Sequence, residues 1–198
     1  MAIISYVNKQ IMRHIKKPIK MRIFFTLLAV FLISVNVFGQ NIPTDQNPKY
    51  NSSINPKYNS GINPKYNSSI NPNYASDLNP KYNSGINPKY TSDLNPKYNS
   101  RINPKYTFGL NPYNGSWTGK YLFNQNGNLT GVLAKANYNV YLLYGSDGEW
   151  IGYFVRAKKN FNLFSLDGEW TGQYLCSDSE NGYNLFNESG EWTTYYVK

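Results

Sequence analysis

Eight residues, Asn-Pro-Lys-Tyr-Asn-Ser-x-Ile/Leu, recur almost without drift from Asn47, restarting at Asn55, Asn63, Asn71, Asn79, Asn87, Asn95, Asn103 and Asn111. A proline in every unit removes a backbone donor, which argues against a run of central strands. Asn-Pro starts turns, with Pro presetting φ at the second turn position. Each Asn-Pro-Lys-Tyr is therefore predicted to be a local turn, followed by an extended Asn-Ser-x-Ile/Leu. Because the period is even, an extended chain would place Pro48, Tyr50, Ser52 and Ile54 on one edge and Asn47, Lys49, Asn51 and Ser53 on the other. The position that varies from unit to unit (Ser53, Gly61, Ser69, Asp77, Gly85, Asp93, Arg101, Gly109) falls on the second edge, as a solvent-facing site should.

Ordering eight residues costs more backbone entropy than burying one tyrosine and one isoleucine returns. Taken alone, the tract is expected to be a mostly disordered, turn-rich tether over residues 47–107. The alternative is a regular array in which stacked units share faces.

The formal charge of +9 divides unevenly along the chain. The first 39 residues carry Lys9, Arg13, Lys16, Lys17, Lys20 and Arg22 with no acid, followed by an apolar run from Ile23 to Phe38. A cationic start, an apolar stretch too short to span a bilayer comfortably, and Val37-Phe38-Gly39 at its end read as a signal peptide cut before Gln40. Residues 40–46 are a short linker. The tract holds seven lysines and Arg101 against Asp77 and Asp93, and residues 113–198 hold six basic and eight acidic side chains. A basic tract thus joins a slightly acidic head, and the overall charge does not indicate a nucleic-acid-binding domain.

Residues 108–198 contain a second, more diverged repeat. Tyr141-Leu142-Leu143-Tyr144 leads to Gly148-Glu149-Trp150, Phe161-Asn162-Leu163-Phe164 to Gly168-Glu169-Trp170, and Tyr183-Asn184-Leu185-Phe186 to Gly190-Glu191-Trp192. Gly127-Asn128-Leu129 and Gly115-Ser116-Trp117 are weaker copies. A short aromatic strand, a glycine turn and a longer strand make a hairpin. Eight strands follow, centred on Trp117–Phe123, Asn128–Ala134, Asn139–Tyr144, Glu149–Arg156, Phe161–Phe164, Glu169–Cys176, Tyr183–Phe186 and Glu191–Val197. Short connections favour an antiparallel meander. The predicted fold class is all-β, a small barrel or curled sheet of hairpin repeats with the tryptophans inside, since an open sheet would expose an edge. These Gly-Glu-Trp hairpins resemble MORN-type repeats, which also build meanders from Gly/Trp/Tyr hairpins.

The only histidine, His14, lies in the leader, which removes His-dependent triads and histidine metal sites from the mature chain. A single cysteine, Cys176, allows no intramolecular disulfide. Asp147/Glu149 and Asp167/Glu169 recur at equivalent turns, as turn chemistry requires and one asymmetric catalytic site does not. No catalytic residue, metal site or cofactor is expected. Tyr113, Tyr138 and Tyr195 are the candidate ligand-contact aromatics. The expected protein is a secreted or surface-exposed, non-enzymatic adhesion protein whose tether presents a head to a glycan or extracellular matrix component. The alternative is a structural protein self-associating through the tract. Neither nucleic acid nor a membrane span in the mature chain is expected.

Overall fold

All eight strands form, within a few residues of their expected bounds: β1 Lys120–Asn124, β2 Leu129–Lys135, β3 Val140–Gly145, β4 Trp150–Ala157, β5 Asn160–Phe164, β6 Trp170–Ser177, β7 Tyr183–Phe186 and β8 Trp192–Val197. The structure, a computed structural model, describes residues 42–111 and 117–198. The predicted signal peptide, its cut before Gln40, and Tyr113 lie outside these residues. The strands pair in chain order, all antiparallel, and β1 also pairs with β8 (Leu122 opposite Val197), so the meander closes into a barrel and leaves no edge.

One apolar cluster draws a side chain from every strand, including Leu122, Leu133, Leu143, Phe154, Leu163, Leu175, Leu185 and Val197, and contains nothing from the tract. It is the barrel interior. The tryptophans lie elsewhere. Trp117, Trp150 and Trp170 pack against a second cluster that combines Val140, Leu142, Tyr153 and Phe164 with Ile86, Leu94, Ile102 and Leu110 of the tract. Trp192 packs beside Tyr174, Cys176, Phe186 and Ile62.

The expectation that the tryptophans point inward is thus overturned. The reason is that the outside of this barrel does not face water: the octapeptides cover it, so both faces of the sheet must be apolar. A bulge contributes at Trp150. Gly152 pairs with Leu143 and Trp150 with Tyr144, so Ile151 is extra and Trp150 is turned away from Phe154. At the matching sites Gly172 and Thr194 adopt φ of 78° and 69°. The hydroxyls of Thr130, Thr171 and Thr193 donate to the carbonyls of Leu122, Leu163 and Leu185 at 3.1, 2.9 and 2.8 Å, which fixes three of the four bulges alike.

The tract is a coil of turns. In each unit the tyrosine N–H donates to the leading asparagine carbonyl, as Tyr50 does to Asn47 at 3.0 Å, which bears out the predicted Asn-Pro turn. The second half, expected to be extended, is instead a single 3-10 turn, from Ser52–Ile54 through Phe108–Leu110. A side-chain cap favours it in five of the eight units, while the turns that follow Ala75, Thr91 and Thr107 form without one. Asn51, Asn59, Asn67, Asn83 and Asn99 accept the N–H two residues on through Oδ1, a local bond that competes with extended backbone. The asparagine Nδ2 atoms stitch neighbouring units together: Asn63 donates to the Pro56 carbonyl at 3.1 Å, and Asn67 to the Gly61 carbonyl at 2.7 Å.

Two turns per unit abolish the alternation of an extended ribbon. The predicted Pro/Tyr/Ser/Ile edge does not exist. Ile70 (2% exposed), Asn71 and Pro72 face inward together, whereas Lys81 and Tyr82 face out. The expected mobile tether is likewise not what the chain forms, although it is turn-rich as predicted. The entropy argument holds for an isolated tract, and this one lies in the same compact unit as the barrel, Gly39–Lys198, where its aliphatic residues are buried.

A shared register locks the two repeats together. The tract carbonyls of Gln46, Ile62 and Ile70, each preceding an Asn-Pro, accept from Asn184, Asn160 and Asn162 Nδ2 at 2.9, 3.1 and 2.9 Å. The Tyr144 hydroxyl reaches the Ile102 carbonyl at 3.5 Å. Gln46 and Ile70 are three octapeptides apart, and Asn184 and Asn162 are one hairpin apart. Asn63 and Asn87, also three units apart, approach Gly190 and Gly168 of successive hairpins. Three octapeptides therefore span one hairpin, with the tract running opposite to barrel order, from β7 at Gln46 to β3 at Ile102.

Burial raises the hydroxyl pKa of Tyr144, Tyr153 and Tyr174 well above the usual 10.0, and at Tyr153 the Glu169 carboxylate adds to this. A raised acid pKa contributes stability that is present below pH 10 and lost as the pH climbs beyond it, because only the unfolded chain releases those protons. Alkaline titration should therefore show a group of tyrosines whose ionisation at 295 nm coincides with the loss of near-ultraviolet circular dichroism above about pH 10. Ionisation of all tyrosines before any loss of that signal would contradict the packing.

Candidate functional site

The coil buries its Ile-Asn-Pro side and carries its lysines and tyrosines on the opposite side. Tyr50, Tyr58, Tyr66, Tyr74, Tyr82, Tyr90, Tyr98 and Tyr106 are all 63–77% exposed, one per unit. The backbone beneath each is held twice. In the unit starting at Asn63, the Lys65 N–H donates to Asn63 Oδ1 at 2.9 Å and the Tyr66 N–H to the Asn63 carbonyl at 3.0 Å. In five units the lysine Nζ lies 5.5–5.9 Å from the centre of the adjacent tyrosine ring. The result is a ladder of aromatic faces and ammonium groups at a fixed period on an ordered support.

Sequence reasoning missed this ladder by assigning tyrosine and isoleucine to the same edge. The signal that separates them is the type of turn. The second half-unit is a tight turn, capped by asparagine in five of the eight units, and this turn rotates tyrosine away from isoleucine.

Tyr138 and Tyr195, the predicted contact aromatics among the described residues, lie at opposite ends of the barrel. Tyr138 is 68% exposed in the β2–β3 connection, where the Arg156 guanidinium sits 4.5 Å from its ring centre. Tyr195 is on β8, beside the opposite mouth of the barrel, and its carbonyl accepts from Trp192 Nε1 at 3.0 Å. Cys176 is 1% exposed, its thiol donating to the Ile62 carbonyl at 3.5 Å, and burial pushes its pKa far up, away from thiolate chemistry. Asp147 Oδ1 accepts the Glu149 N–H at 3.1 Å within its turn, and Asp167 lies 3.9 Å from Lys89 of the tract. Among the described residues, no three His, Cys, Asp or Glu side chains cluster as metal ligands, and no helix is long and apolar enough to cross a membrane.

The fold and its surface define a class of architecture: an eight-stranded closed meander jacketed on its outer face by a coil of octapeptide turns. No protein-family model, curated protein or solved structure matches the chain.

Proposed function

We propose that the protein is an exported, non-enzymatic binding protein of the cell surface or extracellular space, and that it adheres to a glycan or matrix polymer. In this reading the tract makes the contact and the barrel holds the tract in shape. The observation that supports it is the set of eight exposed tyrosines, one per octapeptide, on the outward side of an ordered coil. A tyrosine ring offers a flat apolar face with a polar tip, suited to wet, polar ligands. A lysine beside it favours polymers that carry acidic groups. Eight weak contacts on one support gain avidity when the ligand repeats as well, without any single strong pocket. The cationic and apolar leader supports export.

The test uses mature protein beginning at Gln40 on arrays of neutral and acidic glycans and matrix components. A variant with Tyr66, Tyr82 and Tyr98 changed to Ser should lose at least about tenfold in apparent affinity with an unchanged melting temperature, since these rings are exposed. Unchanged binding by that variant, or recovery of the native protein only from the cytosol with residues 1–39 attached, overturns the proposal.

A further inference from the structure

The two ends of the barrel are not alike. At the end ringed by the β2–β3, β4–β5 and β6–β7 connections, Tyr141, Phe161 and Tyr183 close over the interior and leave a space of only about 10 Å³. At the other end a cavity of about 350 Å³ opens to solvent. Its wall is a ring of four leucines, Leu122, Leu143, Leu163 and Leu185, one from the first strand of each hairpin, with Phe154 among them. Repetition of the hairpin builds this ring: the same inward position is leucine in all four copies. Ile151, the extra residue of the β4 bulge, lines the mouth while 52% exposed, and Tyr195 stands there 36% exposed.

The lining is more apolar than its residue names suggest. Thr171 and Thr193 have committed their hydroxyls to the carbonyls of Leu163 and Leu185, which leaves their methyl groups to the cavity. Ser165, Gln173 and the Tyr195 phenol remain as polar groups on the wall. An eight-stranded barrel is wide enough to hold one small ligand, and small-molecule sites combine an apolar concavity of this size with a few polar groups.

Charge selects among apolar ligands. The four turns around this mouth carry Asp147, Glu149, Asp167, Glu169, Glu188 and Glu191 and no basic residue. Lysines of the tract approach three of them from the flank: Lys89 is 3.9 Å from Asp167, Lys65 shares a hollow with Glu188, and Lys81 shares one with Glu169. The mouth therefore keeps a negative field, which repels a carboxylate head and attracts a cationic one.

We infer that the open end of the barrel binds a small cationic amphiphile, its hydrocarbon body on the leucine ring and its amine or quaternary ammonium head at the acidic turns. A chain of about ten carbons suits a cavity of this order. The inference is independent of the tyrosine ladder, which lies on the outer face of the jacket.

Titration calorimetry and methyl-resolved NMR of the full mature chain test it, with decyltrimethylammonium and sodium decanoate as probes, each below its micellar concentration. The expected result is saturable one-to-one binding of the ammonium compound, with shifts at the methyls of Leu122, Leu143, Leu163 and Leu185, and at least tenfold weaker binding of decanoate. Ile151→Trp, at an exposed position, should fill the mouth and weaken binding at least tenfold without lowering the melting temperature. No saturable binding to the native chain, shifts confined to the tract, or full affinity in Ile151→Trp overturns the site. Equal binding of decanoate overturns the assignment of a cationic ligand.

Discussion

Deletion of residues 42–107 is expected to leave a chain that no longer folds to a monomeric native barrel. The outer face that the deletion uncovers carries Tyr153, Phe164, Tyr174 and Phe186, all at 0% exposure in the intact protein. The deletion also removes Ile54, Ile70, Ile86, Leu94 and Ile102, each 6% exposed or less. At about 1.5–3 kcal/mol for each fully buried aliphatic side chain, their loss is on the order of 10 kcal/mol. That is comparable with the whole net stability of a domain, roughly 5–15 kcal/mol. An uncovered apolar face of this extent also drives association. Light scattering coupled to gel filtration should therefore show aggregates or oligomers, with near-ultraviolet circular dichroism much reduced. A monomer with the native spectrum and a melting temperature within a few degrees of the full chain would show that the jacket is decoration. The complementary fragment, residues 42–107 alone, should lack stable order, because its backbone entropy is offset only when the barrel supplies the other half of the core.

A second large effect separates the two sides of a single octapeptide. Leu94→Asp places a carboxylate at a position 3% exposed, inside the cluster shared with Val140 and Leu142. The side chains of that cluster are hydrophobic, so the cost should be about 4 kcal/mol or more, and the melting temperature should fall by on the order of 10 °C. Tyr90→Asp, in the same unit but at 68% exposure, should change stability by no more than about 0.5 kcal/mol. Urea denaturation of the two variants beside the native chain measures both. Similar losses at the two sites would restore the extended ribbon, in which tyrosine and aliphatic residue share an edge. A small loss at Leu94 would mean the tract is not packed as described.

The coincidence of the two repeats explains why both are regular. A tract that drifted in length would lose the alignment of the carbonyls preceding its Asn-Pro pairs with Asn162 and Asn184, leaving buried amides unpaired at about 1–3 kcal/mol each. The register is also visible in burial: Asn63 and Asn87 are each 1% exposed, and Asn71 and Asn95 follow at 5% and 7%, again three units apart. Glycine recurs at the same interval in the variable position, at Gly61, Gly85 and Gly109. Nothing in the structure explains Gly61 and Gly85, where a Cβ would meet only the capping asparagine.

Local chemistry alone determined a good part of this protein. Alternating aromatic strands and glycine turns were enough to place all eight strands in an antiparallel meander, because hairpin pairing depends on residues close in sequence, whereas the choice between a barrel and a curled sheet rests on the long-range pairing of β1 with β8. The Asn-Pro turn was legible for the same reason. What the sequence could not show is which side of each element meets which partner. The tryptophans and the isoleucines both read as faces in need of cover, and each was assigned cover within its own repeat: the tryptophans inside the barrel, the isoleucines along an edge with tyrosine. Only the tertiary structure joined the two, by laying the coil on the outside of the barrel. That contact is between residues about a hundred positions apart, such as Ile62 and Asn160, and no local pattern encodes it. It turned a sequence that would be mobile by itself into an ordered support, and in doing so turned the tyrosines outward.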